Sequence, residues 1–226
     1  MNVIQLGPLL LNFELLIFIL SAFTGYLALK YRLSKASVEG NTSDKFFHAF
    51  ILGFFTWKLS LIIFDPVSVI QYPMSLLYFN GGDRGIAIAI SISILFLGIR
   101  TRKDGTSIMV NLDVMGVGWL AGSSIYHLLL LTIESAHPMI HILYALLNMT
   151  FALLLHSKKE AVGNPIVLNQ CLIWYSLGLI GIFFAQQERT FFVLGFTKEQ
   201  MILFIVFIIT LGIDLVLSKQ KVKEVH

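Results

Sequence analysis

Seven apolar runs divided by short polar stretches dominate this 226-residue chain, at roughly 9–29, 46–64, 85–99, 108–132, 139–156, 166–185 and 199–217. About 20 apolar residues cross the roughly 30 Å hydrocarbon of a bilayer as a helix, and lipid tolerates only backbones whose polar groups are satisfied internally. The expected fold is therefore all-α, a polytopic membrane bundle of about seven transmembrane helices. Composition agrees, with 57% hydrophobic and only 13% charged residues and a mean hydropathy of +0.82, far from soluble domains. The third run is short, since 15 residues rise only about 22 Å, so its helix is expected to extend into its flanks or to sit in a locally thinned or protein-lined place. The opening MNVIQLGPLL has neither a basic n-region nor a small-residue cleavage site, so the first run is expected to stay as a membrane helix.

Residues 65–80, DPVSVIQYPMSLLYFN, are apolar but too short to cross and carry Pro66 and Pro73, which suits an interfacial or re-entrant segment. If that segment does not cross, twelve of the sixteen basic residues collect on one side, from Lys30, Arg32, Lys35 and Lys45 to Lys219, Lys221 and Lys223. The positive-inside rule then predicts the N-terminus outside and the C-terminus cytoplasmic. The net charge of +3 reports topology in this reading, and no nucleic-acid partner is expected. The longest polar stretch is 31–45 and there is no internal repeat, so one integral membrane domain over 1–226 is expected. Asn41 opens a sequon on the side read as cytoplasmic and Asn148 opens another inside a helix, so neither is expected to carry a glycan. Cys171 is the only cysteine, which excludes an intrachain disulfide or thiolate metal cluster and predicts a buried, inert thiol. No metal or other cofactor is expected.

An ionisable side chain in hydrocarbon costs roughly 2.5–3.5 kcal/mol on insertion scales, so each needs a partner, a wet cavity or a function. Glu14 in the first run, Lys58 in the second and His127 in the fourth each fall about 8–10 Å below the surface read as external. His137 and His141 lie just above that layer, with Tyr144 one turn below. Two readings stand side by side: a buried Glu14–Lys58 pair with a hydrogen-bonded histidine holding helices together, or a polar cavity opening outward. Asp113 and Asp214 lie near the opposite helix ends, where capping or pairing is expected. Gly81-Gly82-Asp83-Arg84-Gly85 opens the third run; an ordinary glycine turn is the simpler reading, and its amides and Arg84 also fit an anion such as a lipid phosphate.

The order of features resembles the prolipoprotein diacylglyceryl transferase family of bacterial seven-helix membrane enzymes over nearly the whole chain. LGPLLLNFELL is similar to the start of that family's first helix, SDKFFHAFILGFFTWKL to its second, and FDPVSVIQYPMSLLYFNGG to the approach to its double-glycine turn. LDVMGVGWLAGSSI resembles its fourth helix, HPMIHILYALLN its HP and LYEALLN stretch, IWYSLGLIGIFF its sixth helix, and LGFTKEQ the start of its last. The family moves diacylglyceryl from phosphatidylglycerol to the lipobox cysteine of prolipoproteins at the outer face of the bacterial cytoplasmic membrane. Most of its active-site positions differ here. His127 stands at the arginine and Leu130 at the asparagine of its G-R-x-G-N run, Tyr144 at the glutamate of LYEAL, Glu14 at a first-helix tyrosine, and Leu179 and Phe183 at an arginine and a glutamate of the sixth helix. Ile86 or a neighbour replaces the HGG histidine, Lys58 takes the place of the G-x-x-G-A-R-L arginine, and the external head region shrinks to about TIESAHP.

A retained frame with replaced polar positions predicts a diverged homologue with a lipid-access cavity near the outer leaflet, acting as an accessory protein that binds phospholipid, such as phosphatidylglycerol, or a lipoprotein precursor. The alternative is an active diacylglyceryl or related acyl or glyceryl transferase, with His127 or His141 as base, Lys58 and Arg84 on the phosphate, and Glu14 and Tyr144 completing the lipid site. A secondary transporter is a third option, disfavoured by the lack of repeats. The predicted location is the bacterial cytoplasmic membrane, multi-pass.

Overall fold

The structure, a computed structural model, describes residues 3–6, 9–35, 42–78, 81–133, 137–158, 162–186, 192 and 195–224. A short antiparallel hairpin, β1 (Val3–Leu6) and β2 (Leu9–Asn12), leads in, with Leu6 opposite Leu9. Helices follow: α1 (Phe13–Lys35), α2 (Thr42–Phe64), α3 (Pro66–Gln71), α4 (Ser75–Tyr78), α5 (Gly82–Asp104), α6 (Ile108–Leu130), α7 (Pro138–Ser157), α8 (Pro165–Ala185) and α9 (Lys198–Glu224). Seven of these, all but α3 and α4, are long and apolar enough to cross a membrane.

Local chemistry sets several boundaries. Asn164 caps α8 by accepting from the Ile166 N–H at 2.9 Å, and Pro165 follows at the first helical position, where its missing N–H costs nothing. Pro138 starts α7 in the same way. Gly105 ends α5 in the left-handed conformation at φ 63°, open to glycine without strain.

Two boundaries differ from the hydropathy reading. The first long helix starts at Phe13 because residues 9–12 pair as a strand; an unbroken apolar run has no period that separates strand from helix. The third, as its short apolar run required, extends beyond 85–99 into both flanks, over the 23 residues Gly82–Asp104. Its charged tail stays helical because Arg102 and Lys103 in the last turn complement the negative end of the helix. Between α2 and α5, the 65–80 stretch forms the two short helices, neither long enough to cross.

The described chain forms two compact units. One comprises 1–37 and 109–226, and the other, 38–108, is inserted in the sequence between α1 and α6. In the inserted unit α2 packs against α5. Ser93 donates to the Ala49 carbonyl at 3.1 Å, and Lys45, buried, donates to Thr106 at 3.2 Å. Two glycines of the 81–85 turn have a steric role: a Cβ on Gly81 would run into the Trp57 ring, and one on Gly85 into the Ser60 hydroxyl.

In the larger unit α1 and α6 touch backbone to backbone. A Cβ on Gly25 would sit 2.6 Å from the Gly118 carbonyl oxygen, and one on Gly122 2.9 Å from that of Ser21. Such small-residue contacts are how membrane helices approach closely enough for dispersion to hold them. Val117 and Leu120 of α6 and Phe151, Ala152 and Leu155 of α7 form the core, with Ala28 of α1 and Val167, Leu168 and Tyr175 of α8 against it. Of the largest fully buried side chains, all but Val114 and Val117 are polar, namely Arg32, Gln200, Asn148, Asp113, Ser60 and Ser124. Large apolar side chains such as Ile205, Ile209, Leu153 and Trp174 are exposed. Polar groups inside and apolar groups outside is the arrangement suited to a lipid solvent.

Candidate functional site

His127 falls in the last turn of α6 and His141 in the first turn of α7, and the short connection brings the two helix ends together. Their Nδ1 atoms lie 3.0 Å apart with both rings half-buried. Two imidazoles at that distance share one proton, so one Nδ1–H donates and the other Nδ1 accepts. With both rings neutral, the donor ring carries a lone pair on its Nε2 and the acceptor ring an N–H there. One added proton gives two Nε2–H donors and a single positive charge, while a second would abolish the shared bond.

The Tyr144 ring lies flat on His127, with centroids 4.7 Å apart and planes 13° off parallel. Tyr144 follows His141 by three residues, one turn along the same face of α7. Phe183 of α8 meets Tyr144 edge-on at 6.4 Å and 85°. Glu199, in the first turn of α9, lies near enough for its charge to act on the Tyr144 hydroxyl.

A polar layer beneath fixes these rings. Asn148, one turn beyond Tyr144, donates to the Tyr144 carbonyl at 2.8 Å and to the Ser123 hydroxyl at 3.3 Å, and accepts from the Tyr175 hydroxyl at 2.8 Å. Ser124 donates to the Ala145 carbonyl at 3.0 Å. α6, α7 and α8 are thus tied together directly below the histidines, and both Asn148 N–H donors are used internally.

Of the residues singled out from sequence, His127, His141 and Tyr144 form this cluster. Glu14 belongs to the same unit, but its helix starts at Phe13, so it stands exposed in the first turn of α1 rather than five residues deep; there its carboxylate complements the positive helix end. His137 is the exposed N-cap of α7, with no capping bond from its side chain. Lys58, half-buried on α2, and Arg84, exposed in the first turn of α5, belong to the inserted unit. Among the described residues no group of three or more His, Cys, Asp or Glu could hold a metal ion.

A second polar centre occupies the opposite end of the larger unit. Arg32, in the last turns of α1, reaches Asp113 of α6 through Nε to Oδ1 and Nη2 to Oδ2, both at 3.1 Å. Its Nη1 donates to the carbonyls of Leu155 and, at 3.2 Å, Lys158. Asp113 Oδ2 also accepts from the Gly163 N–H at 2.8 Å. Both side chains are essentially fully buried. The pairing expected for Asp113 is present, but its partner is a cation that the charge tally treats as part of a loop. Equal depth at the same end of two spans is the signal that links them.

The fold and its buried polar layers define a multi-pass α-helical membrane protein with an imidazole–phenol cluster where three helices meet. No known protein family, curated protein or solved structure matches the chain.

Proposed function

We propose that the chain is a diverged relative of the prolipoprotein diacylglyceryl transferases that binds a phospholipid headgroup, phosphatidylglycerol or a lipoprotein-linked equivalent, at the His127–His141–Tyr144 cluster. The cluster faces the outer leaflet of a bacterial cytoplasmic membrane, with the N-terminus outside. The observation that carries this reading is the shared-proton histidine pair stacked on a phenol. Such a pair offers an anionic headgroup one Nε2–H donor when neutral and a second, with a positive charge, on taking up one proton, so no permanently buried ion is needed. Support comes also from position: His127, Tyr144 and Phe183, at three places aligned by resemblance with active-site residues of those enzymes, lie side by side.

The single Nε2 lone pair of the neutral histidine pair favours a second reading, a transferase in which that nitrogen takes the thiol proton. Two measurements separate them. In nanodiscs, spin-labelled phosphatidylglycerol is immobilised by the wild-type chain in preference to phosphatidylcholine, and His127→Ala and His141→Ala each abolish that preference; equal immobilisation of both lipids by wild type refutes the binding site. In cells depleted of their own diacylglyceryl transferase, the binding reading predicts no prolipoprotein processing, whereas processing that disappears in His127→Ala establishes the enzyme.

A further inference from the structure

The far end of the same unit carries a cavity unrelated to the histidines. Between α7 and α8, a cleft of about 170 Å3 is lined by Phe151, Leu154, Lys158, Gln170, Cys171 and Trp174, among others. Lys158 caps the C-terminus of α7, 17 residues and about 25 Å along that helix from His141. A dry apolar void of roughly 150 Å3 accepts a benzene-sized hydrocarbon, so the cleft has room for a segment of an acyl chain. Its floor is fixed: Phe151 and Leu155 belong to the core, and Arg32 holds the carbonyls of Leu155 and Lys158. Its rim is open, with Leu154 and Trp174 exposed.

Charge selects the occupant. Lys158 is exposed at the mouth, and the Val167, Gln170 and Cys171 wall comes from the first turns of α8, whose N-terminus carries the positive end of the helix dipole. Asp113, the acid whose charge acts on Cys171, is committed to Arg32 and Gly163. We infer that this cleft binds an anionic phospholipid of the leaflet at the Lys158 end, its phosphate on Lys158 and the start of α8 and one acyl chain laid along Phe151 and Trp174. A lipid there staples α7 to α8 and sits in the leaflet opposite the histidine cluster, so the site does not depend on the headgroup proposed above.

Cys171 is the only thiol in the chain and lines the cleft, so it reports occupancy directly. The test measures the rate at which N-ethylmaleimide alkylates Cys171 in the full chain, in nanodiscs of phosphatidylcholine alone or with part of it replaced by phosphatidylglycerol. Phosphatidylglycerol slows alkylation about fivefold, the enrichment that one basic side chain gives an anionic lipid. Lys158→Gln restores the fast rate, Lys158→Arg keeps the slow one, and His127→Ala leaves it slow. Equal rates in the two wild-type membranes overturn the proposal and mark a cleft that takes any acyl chain or none, and slowing that survives Lys158→Gln overturns it too, since the preference would then not come from Lys158.

Discussion

Replacing Asp113 by asparagine keeps the shape of the Arg32 centre and removes its negative charge. The carboxylate now accepts three bonds, from Arg32 Nε and Nη2 and from the Gly163 N–H. An asparagine can keep two of them with its oxygen, but its NH2 then faces the third donor. Arg32, 1% exposed, is left as a buried cation whose only remaining partners are backbone carbonyls and one amide oxygen. Breaking one side of a buried pair costs about 3–5 kcal/mol, which at 1.4 kcal/mol per decade lowers the folding constant by two to nearly four orders of magnitude. The assay is reversible unfolding by sodium dodecyl sulfate in mixed micelles, followed by tryptophan fluorescence. The paired replacement Arg32→Met with Asp113→Leu removes both charges and lies within about 1 kcal/mol of wild type, because the desolvation cost disappears with the attraction. Asp113→Asn unfolding within about 0.5 kcal/mol of wild type, or a double variant as weak as the single one, would refute the view that an uncompensated charge dominates.

Gly25→Val drives a side chain into the Gly118 carbonyl, 2.6 Å from the new Cβ, and costs about 1–3 kcal/mol by overpacking; Gly116→Ala, where a Cβ meets nothing, is neutral or stabilising in the same unfolding assay. Tyr175→Phe removes the donor to Asn148 and costs about 0.6 kcal/mol, up to about 1.7, and the coupling between Tyr175→Phe and Asn148→Leu in a double-mutant cycle measures the bond. Asp65, outside the spans, accepts from both the hydroxyl and the N–H of Ser68 at the start of α3, and these bonds hold its carboxyl below the usual carboxylate range. The sign follows from linkage: a lowered folded-state pKa means the cap is fully formed above the ordinary value of about 4 and is lost as pH falls through the lower folded one. Hydrogen exchange of the Ser68 amide therefore accelerates below that range, and in Asp65→Asn the acceleration is absent.

Hydropathy places the spans well because lipid demands long apolar helices wherever the chain crosses, and all seven long helices start within four residues of where the apolar runs begin. Only ahead of α1 does it mistake the element, since LLLN satisfies a strand and a helix alike. His127, His141 and Tyr144 are legible as a group because α6 and α7 are joined by a short connection, and residues equidistant from such a turn meet. Asn148 and Tyr175 escape notice because an uncharged amide and a phenol cost little in any single helix; only the i, i+4 step from Tyr144 to Asn148 hints at their place. Residues at one level of a bilayer need not share a helix face, and rotation about each axis is set by contacts such as Gly53 on Ser93 that hydropathy does not register.

Synthesis meets a waiting problem at Arg32. Its counter-charge comes 81 residues later, with the whole inserted unit in between, so at 5–20 residues per second the guanidinium exists for about 4–16 s before Asp113 is made. During that interval only the water and lipid phosphates at the membrane border can solvate it, which delays the sinking of the end of α1. The first helix is therefore threaded early and seated late, and α1 cannot lock until the fourth span has arrived.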